Sequence, residues 1–136
     1  MNAKEKLQQY RVCCRKYDAV LENIERTRSL AEKTTQSFGG DPVQSSTSDR
    51  FGNICSIFAD MITDAENELK ELYIKQKEVE KLINEVKNSK YRDVLYHRYI
   101  LQKKWERIAV DLNYDYSWVI DMHGKALNEI KLIITD

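Results

Sequence analysis

At 136 residues the chain has room for one or two small units, and its single proline, four glycines and 32% charged residues favour long helices over strands. No apolar run approaches the roughly 20 residues of a membrane span, and the N-terminus is polar and charged, so no membrane partner is expected and a cytoplasmic protein is. The 22 basic and 22 acidic side chains cancel, which excludes a uniformly basic nucleic-acid binder and leaves the distribution of charge to carry the argument.

The first predicted helix, residues 3–37, places Leu7, Tyr10, Cys14, Tyr17, Leu21, Ile24, Arg28 and Ala31 at alternating spacings of three and four, a heptad seam. Phe38-Gly39-Gly40-Asp41-Pro42 and the run on to Ser48 then break the pattern with turn and hydroxyl residues. A second helix is expected over residues 49–88, with Ile54, Phe58, Met61, Ala65, Leu69, Leu72, Val79, Ile83 and Val86 as its stripe, shifted by one residue near Ala65 to Leu69. Forty residues at 1.5 Å each reach about 60 Å, far beyond a compact unit of this size, so a partner along the helix is implied. The two helices suit an antiparallel hairpin over residues 1–88 whose role is oligomerisation. Two helices bury little core, and a polar Gln76 at a seam position is of the kind that fixes register between chains. A homodimer is expected through Leu69, Leu72, Gln76, Val79 and Ile83, with a purely intramolecular hairpin as the alternative. Cys13, Cys14 and Cys55 read as buried reduced thiols, since neighbouring cysteines on a helix diverge by about 100°.

Charge divides unevenly. Residues 1–40 carry eight basic and five acidic side chains, residues 41–87 six and ten, and residues 88–136 eight and seven. Within the last segment Lys90, Arg92, Arg98, Lys103, Lys104 and Arg107 precede residue 108, whereas only Lys125 and Lys131 follow it, against five acids. The positive patch thus lies ahead of the final helix.

Residues 89–136 read as a helix-turn-helix domain. Trp105, Ile108, Ala109 and Leu112 form one apolar stripe; Asn113 sits where a helix stop needs tolerance of positive φ; Asp115 can start the next helix; and Val119, Met122, Ala126, Leu127 and Ile130 recur at helical spacing over residues 116–134. Tyr91-Arg92-Asp93-Val94-Leu95 with Arg98-Tyr99-Ile100, Trp105-Glu106-Arg107-Ile108-Ala109, Leu112-Asn113-Tyr114-Asp115, Val119, Met122-His123 and Ala126-Leu127 together resemble region 4 of sigma factors. More closely they resemble small late-transcription regulators of the ArpU and RinA types from phages and prophages of Gram-positive bacteria. The resemblance implies an all-α protein, a long helical hairpin followed by a sigma region 4-like helix-turn-helix, acting in the bacterial host's cytoplasm on double-stranded promoter DNA, on host RNA polymerase, or on both.

Under that reading Lys103, Lys104 and Arg107 are expected to meet the phosphate backbone, and Tyr116, Ser117, Ile120, Asp121 and Lys125 to form the outward face of the recognition helix, with Ser117 and Lys125 reaching phosphate or base edges. Asp121 and Gly124 depart from the basic residues that the resembling proteins often carry there. Trp118 either wedges against the preceding helix or meets the partner. His97 and His123 are expected to pack or cap: no nucleophile, acid or cysteine is spaced to make a catalytic set or metal site, and no glycine-rich phosphate loop occurs, so neither enzyme activity nor cofactor is expected. Two other classes remain open, a small terminase-like packaging protein forming a ring, and a protein-binding adaptor without DNA affinity.

Overall fold

The computed structural model describes residues 1–37 and 44–135; the turn expected at Gly39-Gly40 lies outside them. Every regular element among the described residues is helical, so the protein is all-α: α1 (Ala3–Ser37), α2 (Gln44–Asn84), α3 (Ser89–Leu95) running into a π-helical turn (Tyr96–Ile100), α4 (Trp105–Leu112) and α5 (Tyr116–Thr135). Asn2 and Glu5 start α1 with a capping box, in which the Glu5 amide donates to Asn2 Oδ1 at 2.8 Å and the Asn2 amide donates to Glu5 Oε2 at 3.2 Å. No helix among the described residues is long and apolar enough to cross a membrane.

The chain forms two compact units, one of residues 15–71 and one of residues 1–14 with 72–136. In the 15–71 unit α1 turns Tyr17, Val20, Ile24, Thr27 and Ala31 inward and α2 turns Ile54, Phe58, Met61, Ala65 and Glu68 inward, all half-buried. Both seams differ from expectation by one residue. Leu21 is 42% exposed and Arg28 pairs on the surface with Glu25 and Glu32, so Val20 and Thr27 take the seam positions. On α2 the spacing of three and four continues without a shift: Leu69 is 47% exposed and Glu68 holds the inward place. Helical geometry overrides side-chain preference there, because keeping Leu69 inward would require the helix to slip. The thiols divide as well, Cys13 buried, Cys14 half-buried and Cys55 exposed.

The other unit is layered. Leu7 from α1, Val79, Ile83 and Val86 from α2 and its exit, Leu95, Tyr99 and Ile100 from α3 and the π turn, and Ala126 and Ile130 from α5 form one core. Residues 1–14 and 72–84, expected within a separate hairpin, therefore share a core with α3, the π turn and α5. Val79 and Ile83, at 2% and 1% exposure, are covered by their own chain rather than held out for a second one. Gln76 spends its amide on Glu80 Oε1 within α2, at 3.0 Å, and Leu72 is half-buried. Of the five residues expected to face a second chain, Leu69 is the exposed one.

α2 ends four residues before the expected Asn88 because Asn88 begins the next helix, its Oδ1 accepting from the Lys90 amide at 2.9 Å. Arg92 Nη1 donates to the carbonyls of Val86 and Lys87, at 2.7 and 3.0 Å, fastening the exit of α2 to α3. The π turn, closed by the Leu101 amide on the Tyr96 carbonyl at 3.0 Å, widens the helix so that consecutive Tyr99 and Ile100 are both buried.

Candidate nucleic-acid interface

Asn113 adopts the left-handed conformation at φ 59°, ψ 48°, and ends α4. The Tyr114 amide donates to the Ala109 carbonyl at 2.9 Å and the Asn113 amide to the Val110 carbonyl at 3.2 Å, a Schellman pair that satisfies two otherwise orphaned carbonyls. Residues 113–115 are the whole turn, and α5 begins at Tyr116. Val94, Ile108, Ala109, Val119 and Met122 lock the two helices onto α3, with Trp105, Leu112 and Tyr114 packed against them.

That packing leaves one face of α5 outward. Tyr116, Ser117, Ile120, Asp121, Gly124 and Lys125 are all exposed, Tyr116 by 48% and Ile120 by 38%. A side chain placed at Gly124 would meet nothing within 4 Å. Asp121 and Lys125 pair at 3.2 Å along the helix with both side chains about three-fifths exposed, a weak solvated contact. Trp118 and Tyr114 in the turn meet edge to face, their rings 4.2 Å apart, and the Lys90 ammonium lies over the Trp118 ring at 5.6 Å. It is a packing residue that stays 38% exposed.

Behind this face His123 is buried with its Nε2 2.7 Å from the Tyr99 hydroxyl. Trp105 meets its ring at 4.5 Å and carries the Arg98 guanidinium at 4.4 Å. Burial, with the nearby charges of Lys4 and Arg98, lowers the His123 pKa to about 4, and burial raises that of Tyr99 to about 12, so both are neutral and structural near pH 7. His97 also sits within the fold: Lys103 Nζ stands 3.0 Å from its Nδ1, and burial followed by that ammonium lowers its pKa. Among the described residues no group of His, Cys, Asp and Glu could hold a metal ion.

The expected phosphate contacts are not equivalent. Lys103, its side chain 26% exposed, donates to Asp111 Oδ2 at 2.8 Å and to His97, which ties it into the fold. Arg107 also reaches Asp111, at 3.1 Å, but its side chain is 69% exposed. The Lys103 hydrogen bond, then Arg107, holds the Asp111 carboxyl below its ordinary pKa. Lys104, in extended conformation at the start of α4, is exposed with its charge outward. The structure adds Lys90, whose place beside Trp118 no local pattern announces, and it adds Asp111 as the acid that restrains two cations. The latter had a signal in the four-residue spacing of Arg107 and Asp111.

The family described as "Protein of unknown function (DUF1492)" matches residues 33–131. The chain belongs to this family. The DUF1492 match takes in α2, α3, α4 and most of α5, but leaves out residues 1–32, among them Leu7 of the shared core. Neither a curated protein nor a solved structure matches the chain.

Proposed function

We propose that the protein is a transcription regulator of the phage or prophage late-gene type that engages duplex promoter DNA through its C-terminal helix-turn-helix. The observation carrying this reading is the outward face of α5: a helix set by a three-residue turn on a packed partner helix, exposed from Tyr116 to Lys125, with Lys90, Lys104 and Arg107 at the starts of α3 and α4. Lys104, Arg107 and Lys90 supply phosphate contact, and Lys103 supports Asp111 instead. The same reading takes host RNA polymerase as a further partner and a homodimer as the working form, its contact including the exposed Leu69 of α2. Light scattering at micromolar concentration tests the dimer against a monomer or a ring.

Fluorescence anisotropy with promoter-length duplexes at two salt concentrations tests the DNA reading. Wild type should bind more weakly as salt rises, and Lys104→Glu with Arg107→Glu should lower affinity for every sequence and reduce the salt slope by about two. Lys103→Glu alone should act chiefly on stability. Absence of binding at low salt sinks the reading and leaves the protein-binding adaptor, which one observation favours: Asp111 and Asp121 already hold Lys103, Arg107 and Lys125 in pairs.

A further inference from the structure

The outward face of α5 has an unusual chemical make-up for a helix that meets base edges. From Tyr116 to Lys125 it exposes a phenol at Tyr116, an apolar side chain at Ile120, a hydroxyl at Ser117, a carboxylate at Asp121, a bare backbone at Gly124 and a single cation at Lys125, which is turned to Asp121 at 3.2 Å. It presents no Arg, Asn or Gln. Bidentate donation to the N7 and O6 of guanine uses Arg or Lys, and here the one Lys, Lys125, is turned to Asp121; the paired donor and acceptor contact with adenine uses Asn or Gln. Asp121 only accepts, and in the major groove the exocyclic amine of cytosine is the donor it fits. Ile120 lies one residue before Asp121, exposed, with an apolar surface suited to the 5-methyl of thymine. Gly124, one turn further on and open, lets the backbone come close to the groove. Lys125 offsets part of the repulsion between Asp121 and the phosphates.

We infer that this face reads pyrimidine edges, taking the cytosine amine through Asp121 and a neighbouring thymine methyl through Ile120, and does not read guanine. The inference rests on the DNA reading above and names the base chemistry of that same face. Asp121 is then a specificity residue rather than a defect in a basic helix, with the Lys90 ammonium over the Trp118 ring at the first turn of α5 as a nearby cation.

Selection from a random duplex library with the full chain, followed by titration of the selected duplex, tests this. Replacing thymine by deoxyuridine at one selected position should weaken wild type about fourfold, the effect of one buried methyl, and leave Ile120→Ala unchanged. Selection with Asp121→Asn should exchange cytosine for adenine at one position, since an amide both donates and accepts. Replacing guanine by 7-deazaguanine should change affinity less than twofold. Both variants alter exposed side chains, and unchanged helicity by circular dichroism establishes that they fold. No binding to any duplex overturns the DNA reading and the inference with it. Binding that is lost with 7-deazaguanine, or that ignores deoxyuridine and Asp121→Asn, overturns the inference alone.

Discussion

The two compact units are built from the same two long helices with the same spacing of inward residues, yet they bury them to different depths. In the 15–71 unit no described residue is fully buried, whereas residues 1–14 and 72–136 contain every fully buried side chain described, from Leu7 to Ile130. The spacing of three and four selects a face; the number of elements packed around that face decides how much water leaves it. Where α1 and α2 have only each other, their inward residues stay half-exposed. Where α3, the π turn and α5 close over the same helices, Val79, Ile83 and Leu7 lose nearly all contact with solvent.

The largest expected effect tests that difference directly. Ile83→Ala should cost about 2–5 kcal/mol, as for a closed core site, while Met61→Ala, at a half-buried seam site, should cost less than half as much. Urea unfolding, with hydrogen exchange resolved between the two units, measures both; equal losses would break the comparison. The second effect is one of pH. His123 has a folded pKa of about 4 against 6.5 unfolded, so the unfolded chain takes up the proton first as pH falls. Its contribution to stability is complete above pH 6.5 and is lost progressively down to about pH 4, in total about 2–3 kcal/mol, with His97 adding in the same direction. Both histidines lie in the layered unit, so exchange protection should fall there and hold in residues 15–71. An imidazole of His123 titrating near 6.5 by NMR would contradict this. The smallest effect lies in the two-helix unit, where Glu68 Oε2 is shut off from solvent without a hydrogen-bond partner. Glu68→Leu should stabilise the protein by up to about 1 kcal/mol, read as a higher urea midpoint; a loss of stability would show that the carboxylate has found compensation.

Much of the local structure could be read from residue types. The bounds of α1, the stop at Asn113, the short turn after it and the inward set Val119, Met122, His123 and Ala126 follow from spacing and capping chemistry, which act over a few residues. The seam error at Leu69 came from following apolarity where helical geometry favours Glu68, whereas Leu21 and Val20 both keep the spacing of three and four, and packing chose Val20. The π turn had no local signal. Its conformation is matched by the burial of Tyr99 and Ile100, and that burial depends on α2 and α5 being in place.

The sequence by itself determined an all-α chain, two long helices and a C-terminal pair of helices joined by a short turn, with Tyr116, Ser117, Ile120, Asp121 and Lys125 on one face of the last helix. Each of these follows from periodicity, capping or turn chemistry within a stretch of some ten residues. Tertiary structure alone decided that Val79 and Ile83 serve the chain's own core, that the first turns of α1 complete the unit bearing α3 to α5, and that Asp111 ties down Lys103 while Lys104 stays outward. Those outcomes depend on which surfaces meet across many tens of residues, and a seam of evenly spaced apolar residues carries no record of which partner will cover it.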